Sequence, residues 1–338
     1  DFSEIEDQYA DIENKINAFK SENGCAPAFV VVENLGVYSC SDTKQNADKQ
    51  LSAFEKCERD GFTGGRIADK IVIVTGGAQG FGEGIARKLL DEGAYIAIAD
   101  LNEELANAKA KEICDIYGSG RAIAVKTDVS DEDSVKNMVY STVLNYGGLD
   151  CIISNAGIAR SGNIEEMTKK FFELSMSINY TGYFLCSRFA SRIMKIQFRF
   201  CKDYFADIVQ VNSKSGLVGS NKNFAYAGSK FGGIGLTQSF ALELVDYNIK
   251  VNSVCPGNFF DGPLWSDPEK GLFKLYLESG KVPGAKNVDD VKKAYLSKIP
   301  MKKGCLPSDV AKAIIYCMEQ LYETGQAIPV TGGQVMLK

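Results

Sequence analysis

The hydrophobic pattern changes character near residue 70. From there, short runs rich in β-branched residues recur: "KIVIVT" (70–75), "AYIAIAD" (94–100), "RAIAVKTD" (121–128), "LDCIISNAG" (149–157), "ADIVQVNS" (206–213), "NIKVNSVCPG" (248–257) and "GQAIPVTGG" (325–333). Apolar residues dominate these runs, as in strands buried on both faces of a parallel sheet. Between them lie segments of helical character at 81–93, 102–118, 130–147, about 164–200, 224–247 and 308–322. This exchange of strand and helix predicts an α/β, Rossmann-type doubly wound parallel sheet of about seven strands, with helices on both faces.

The first 66 residues lack that rhythm. A helix (about 3–21), a strand or hairpin within 26–41 and a second helix (about 42–60) lead to a joint, "DGFTGG" (60–65). The expected organisation is a small N-terminal α/β appendage, or the remnant of a larger domain, over 1–66, and a nucleotide-binding domain over 67–338. Within the latter, 258–305 is a long insertion before the last helix.

Composition narrows the function. The chain has 338 residues, 45% of them hydrophobic, and a net charge of −5 without a concentrated basic stretch, so a normal core is expected and nucleic acid is not. No apolar run approaches the roughly 18 residues that span a bilayer, so no membrane partner is expected. The ten cysteines form no C-x-x-C pair and the acidic N-terminus has no signal-like apolar run, which together predict reduced thiols and a cytoplasmic setting. Histidine is absent altogether. That removes the commonest zinc ligand and general base, so no metal is expected and acid–base work falls to Tyr, Lys, Asp, Glu or Cys.

"TGGAQGFGEG" (75–84) follows the first strand of the regular series and opens a helix. In that context Gly76, Gly80 and Gly82, with Gln79 and Phe81 between them, suit close approach of a pyrophosphate to a helix N-terminus. Asp100 ends the next strand, 18 residues after Gly82. A carboxylate there can bind the adenosine ribose hydroxyls and repel a 2′-phosphate, so the expected cofactor is NAD rather than NADP. The bland reading of Asp100 is a helix N-cap.

These residues resemble the short-chain dehydrogenase/reductase family over about 68–338. The T-G-x-x-x-G-x-G turn is Thr75 to Gly82; the family's N-A-G is Asn155-Ala156-Gly157; its Asp-Val after the third strand is Asp128-Val129; its helix asparagine is Asn179; its P-G is Pro256-Gly257. The family's catalytic serine matches Ser213, and its Y-x-x-x-K motif matches Tyr226 and Lys230. The resemblance implies that Ser213, Tyr226, Lys230 and Asn179 are catalytic, with Asn179 holding a relay water. It implies cofactor contacts from Asp128, Val129, Asn155, Ala156, Gly157, Pro256 and Gly257, and from Tyr226 and Lys230. One departure is "PGNFFDGP", where Asn258 follows the P-G and no Thr does.

Lys230 lies one helical turn beyond Tyr226, and its ammonium is expected to lower the Tyr226 pKa. The stretches 210–220, 230–244, 257–265 and 330–336 resemble the branch of the family acting on sorbitol 6-phosphate. That likeness implies interconversion of a polyol phosphate with a ketose phosphate, sorbitol 6-phosphate with fructose 6-phosphate. The insertion carries nine lysines against six carboxylates, net +3; it is either a solvated loop or a basic lid over an anion. Lys214, wedged beside Ser213, and with it Lys222, is the expected phosphate ligand. The alternatives are a dehydrogenase of a free sugar, polyol or other secondary alcohol, and a non-catalytic NAD-sensing protein. By resemblance the partner is itself: a homo-oligomer, dimer or tetramer.

Overall fold

The structure, a computed structural model, describes residues 2–23, 29–32, 36–39, 47, 65–159 and 162–336. The chain divides into two compact units, Asp1–Phe62 and Thr63–Lys338. The first contains helix α1 (Phe2–Asn23) and an antiparallel hairpin, β1 (Phe29–Val32) with β2 (Gly36–Ser39), in which Phe29 pairs with Ser39. The expected helix at 42–60 lies outside the described residues.

The second unit is built on seven parallel strands: β3 (Ile71–Thr75), β4 (Tyr95–Asp100), β5 (Ala122–Lys126), β6 (Cys151–Ser154), β7 (Ala206–Val211), β8 (Ile249–Pro256) and β9 (Ala327–Val330), in the order β5-β4-β3-β6-β7-β8-β9. β3, β6, β7 and β8 are buried at every position, as their continuous apolar runs require. Helices α2 (Gly80–Asp91), α3 (Glu103–Tyr117), α4 (Glu132–Tyr146), α5 (Lys169–Met176), α6 (Gly182–Phe200) and α7 (Phe224–Leu244) connect them. The strand order reverses between β3 and β6, so the turns leaving these two strands flank one crevice at the carboxyl edge of the sheet. No helix among the described residues is long and apolar enough to cross a membrane.

Two expectations need correction. The helix expected from about 164 begins at Lys169, because Asn163 folds 163–166 into a turn, its Oδ1 accepting from the N–H groups of Glu165 (3.0 Å) and Glu166 (2.8 Å). The insertion is not a solvated loop. It holds α8 (Pro263–Ser266), α9 (Leu272–Glu278) and α10 (Val288–Ser297) around a core of Phe260, Trp265, Leu272, Phe273, Tyr276, Val291 and Ile299. Helix α11 (Pro307–Glu319) follows it.

Candidate active site

Thr75 and Asn155 tie together the turns leaving β3 and β6. Thr75 Oγ1 accepts from the N–H groups of Asn155 and Ala156, both at 3.0 Å. Asn155 Nδ2 returns two bonds, to the carbonyls of Thr75 (2.9 Å) and Gly76 (3.1 Å). Asn155 therefore uses its side-chain N–H groups to hold the glycine turn. Gly76 and Gly80 have φ of +59° and +62°, which side chains rarely adopt. A Cβ at Gly82 would be driven into the Gly76 carbonyl. Gln79 N-caps α2 without a side-chain cap bond, so the first N–H groups of the helix are not blocked from within. The turn thus fits a dinucleotide pyrophosphate.

Asp100, 8% exposed, accepts from Ala78 N through Oδ2 (3.1 Å) and from Asn102 N through Oδ1 (3.0 Å). The N-cap of α3 is Asn102, whose side chain accepts from Leu105 N, so the bland reading of Asp100 does not hold. Its carboxylate is braced against the glycine turn, at the end of the strand beside β3. Asp128 is used locally: its Oδ1 accepts from Ser130 N (2.9 Å) and Ser130 Oγ (2.6 Å). Val129 packs over Gly182, where a Cβ would crowd it. Pro256 ends β8, and Gly257 N donates to Val330 O (2.9 Å), fastening the turn to β9.

Ser213 stands just past β7, in extended backbone, and its Oγ accepts from Ser215 N (3.1 Å). Tyr226 and Lys230 lie on α7. The buried Asn212 joins the two elements: its Oδ1 accepts from Ser213 N (2.8 Å) and its Nδ2 donates to Lys230 O (2.9 Å). Lys230 Nζ donates to Val211 O (2.8 Å) and lies 5.7 Å from the centre of the Tyr226 ring. Burial shifts both groups towards neutrality. It raises the Tyr226 pKa against the opposing hydrogen bond to Ser213, and it lowers the Lys230 pKa to about 8. The Tyr226 pKa is therefore raised rather than lowered as expected, because desolvation outweighs the Ser213 hydrogen bond.

Asn179 occupies a π-helical turn, Ser177–Thr181, between α5 and α6. Its Oδ1 accepts from Ile158 N (2.8 Å), and its Nδ2 donates to Ile158 O (2.9 Å) and Ser229 Oγ (3.1 Å). Ser229 in turn donates to Tyr226 O (2.7 Å). The amide expected to hold a relay water already spends both N–H bonds on bracing the site, with a lone pair of Oδ1 to spare. Gly157, at the crevice, leaves room for that side chain.

Lys214 is adjacent to Ser213, and its Nζ donates to Gln334 Oε1 (3.2 Å). Burial, with the charge of Lys298 as a second cause, lowers its pKa. Lys222 is an exposed turn residue with φ +58°, whose carbonyl accepts from Gly162 N (2.9 Å). Sequence reasoning missed Asn212, Ser229, Gln334 and Lys298. Asn212 lay inside the quoted serine turn, but a lone Asn carries no signal until its partner helix is known.

Comparison with known proteins finds a matching family and similar folds. Residues 70–265 match the family described as short chain dehydrogenase. Sorbitol-6-phosphate 2-dehydrogenase of Escherichia coli (strain K12) is 36% identical over 274 residues, 79% of this chain and 99% of that protein. Secoisolariciresinol dehydrogenase of Forsythia intermedia is 36% identical over 241 residues, 68% of this chain and 82% of that protein. The crystal structure of sorbitol-6-phosphate 2-dehydrogenase from Erwinia amylovora is 38% identical, with a TM-score of 0.72, over 79% of this chain and all of that one.

Proposed function

The chain belongs to the short chain dehydrogenase family, and on that premise we propose that it is an NAD-dependent dehydrogenase interconverting sorbitol 6-phosphate and fructose 6-phosphate. The observation that carries the reading is a lysine, Lys214, set directly beside Ser213 and tethered in place by Gln334, where Ser213, Tyr226 and Lys230 converge. The names of the similar proteins from Escherichia coli and Erwinia amylovora support the same substrate pair.

The nicotinamide, when bound, takes or returns the hydride. The chain's own residues manage the proton and the oxygen. Tyr226 exchanges a proton with the substrate oxygen, and Ser213 donates a hydrogen bond to that oxygen as charge grows on it. The Lys230 ammonium favours the phenolate and can donate to ribose hydroxyls. Asn179 and Ser229 hold Tyr226 in place through hydrogen bonds. Gly76, Gly80 and Gly82 leave the turn open to the pyrophosphate, flanked by Gln79, Phe81, Asn155, Ala156 and Gly157. Asp128, Val129, Pro256 and Gly257 border the cofactor's path. Asp100, with no basic residue in the turn, favours NAD over NADP.

Lys214 holds the substrate phosphate as a point charge. The seven described cysteines are all free, which supports a reducing, cytoplasmic setting. Residues 1–66 are an appendage to the dehydrogenase domain, and that domain assembles as a homo-oligomer through 164–200 and 224–247.

The test follows NADH absorbance with NAD and NADP over phosphorylated and free polyols. NAD-linked oxidation of sorbitol 6-phosphate, with free sorbitol far weaker, is the expected result. Equal rates on free and phosphorylated polyols would favour the unselective dehydrogenase, and no reduction across the panel would favour the NAD-sensing alternative.

A further inference from the structure

Nine lysines in the lid do not act alike, and the fold singles out one. The segment that follows α10, Lys298 to Met301, lies on the glycine turn at the C-terminal end of the chain. Ile299 sits so close to Gly332, and Pro300 to Gly333, that a side chain at either glycine would crowd them. Met301 N donates to Gly332 O (3.2 Å), and both glycines have positive φ, +60° and +86°. The same turn presents Gln334, whose Oε1 accepts from Lys214 Nζ at 3.2 Å. The segment that carries Lys298 and the side chain of the lysine beside Ser213 thereby meet the same turn.

We propose that Lys298 and Gln334 complete, with Lys214, a subsite for the phosphoryl group of the substrate. The proposal rests on the polyol-phosphate reading above and names the residues that would read the phosphate. Among the described residues, no carboxylate lies within ion-pair distance of Lys214 or Lys298. Burial lowers the Lys214 pKa first, and repulsion by the Lys298 charge second. A phosphate dianion between them removes that repulsion and replaces water lost by the half-buried Lys214. Gln334 orients Lys214 through Oε1 and keeps its amide N–H groups for the anion. Lys222 is left out of this set: it is an exposed turn residue whose carbonyl accepts from Gly162 N.

Lys298 also has a resting place. Its Nζ lies 4.7 Å from the centre of the Tyr295 ring, and Tyr295 meets Trp265 edge-on at 5.0 Å. Trp265 is the only tryptophan of the chain, so movement of Lys298 off Tyr295 onto an anion is readable in its fluorescence. The same lysine then couples phosphate recognition to the lid.

The experiment uses the full chain. Inorganic phosphate is titrated while Trp265 emission is followed, and kinetics with NAD are measured on sorbitol 6-phosphate and on sorbitol. A saturable emission change is expected. Lys298→Ala should weaken it five- to thirty-fold and raise the KM for sorbitol 6-phosphate by a similar factor, with kcat within two-fold and the KM for sorbitol unchanged. Lys298→Arg should restore most of the loss. Lys214→Met should act in the same direction as Lys298→Ala, and more strongly. If Lys214→Met weakens phosphate binding and Lys298→Ala leaves it within two-fold, the assignment of Lys298 is wrong and the substrate reading stands. If Lys298→Ala raises both KM values equally, the residue only supports the lid and the assignment fails. If sorbitol 6-phosphate is not oxidised at all, the substrate reading itself fails.

Discussion

In the proposed mechanism a tyrosine and a lysine carry acid–base chemistry without a histidine, and burial opposes the charged form of each. Lys230 illustrates the consequence. Its pKa is near the ordinary 10.5 in an unfolded chain and about 8 in the fold. Between those values the unfolded chain holds more protons, so the contribution of Lys230 to stability rises with pH over that window and is least favourable at neutral pH and below. Lys230→Met is therefore expected to unfold at an equal or higher temperature than the parent at pH 7, with the advantage shrinking by pH 10, while kcat/KM falls by at least about 100-fold. Scanning calorimetry at the two pH values checks the first part and steady-state rates the second. In the proposed mechanism only the ammonium donates to the ribose, so NADH affinity, read by Trp265 quenching, should weaken as pH passes about 8. Tyr226→Phe removes the proton donor itself and is expected to cost about 10²–10⁴-fold in kcat with NADH binding retained.

Turns, more than strands or helices, decide the site. The glycine turn was legible from its spacing, because a positive φ and close packing demand glycine wherever they occur. Gly82→Ala forces a Cβ into the Gly76 carbonyl, and NADH binding should be lost while the far-ultraviolet circular dichroism of the sheet persists. The π-helical turn at Ser177–Thr181 was not legible. Its sequence reads as plain helix, and Asn179 within it bonds Ile158 and Ser229, which lie outside that helix. Asn179→Ala leaves the N–H and C=O of Ile158 unpaired by the side chain, and denaturant unfolding should show a loss of about 1–3 kcal/mol. The insertion at 258–305 was half legible. Its basic charge stood out in the sequence. Its aromatic core did not, because Trp265, Tyr276 and Tyr295 are far apart in the chain and no short-range period connects them.

For the whole molecule, topology does what no local pattern can. Thr75 and Asn155 are 80 residues apart, yet their hydrogen bonds make one site because the strand order reverses between β3 and β6. The exposed apolar side chains of α5, α6 and α7, among them Phe172, Phe184, Phe231 and Leu242, suit the proposed self-association. Light scattering is expected to return a multiple of the 36.8 kDa chain mass, and Leu242→Arg, at a position 82% exposed, should shift it towards smaller species without unfolding. The sequence by itself determined the α/β class, the alternation of elements, the glycine turn after β3 and the spacing of Ser213, Tyr226 and Lys230. Those depend on period, on backbone conformations open to glycine and on fixed spacing, all local properties of the chain. Only the tertiary structure decided that Asn212 joins Ser213 to the Lys230 helix, that Asn179 is a brace, and that burial governs both ionisable groups. Each of those depends on which distant residues share a volume from which water is excluded, and that is settled only when the sheet has closed around them.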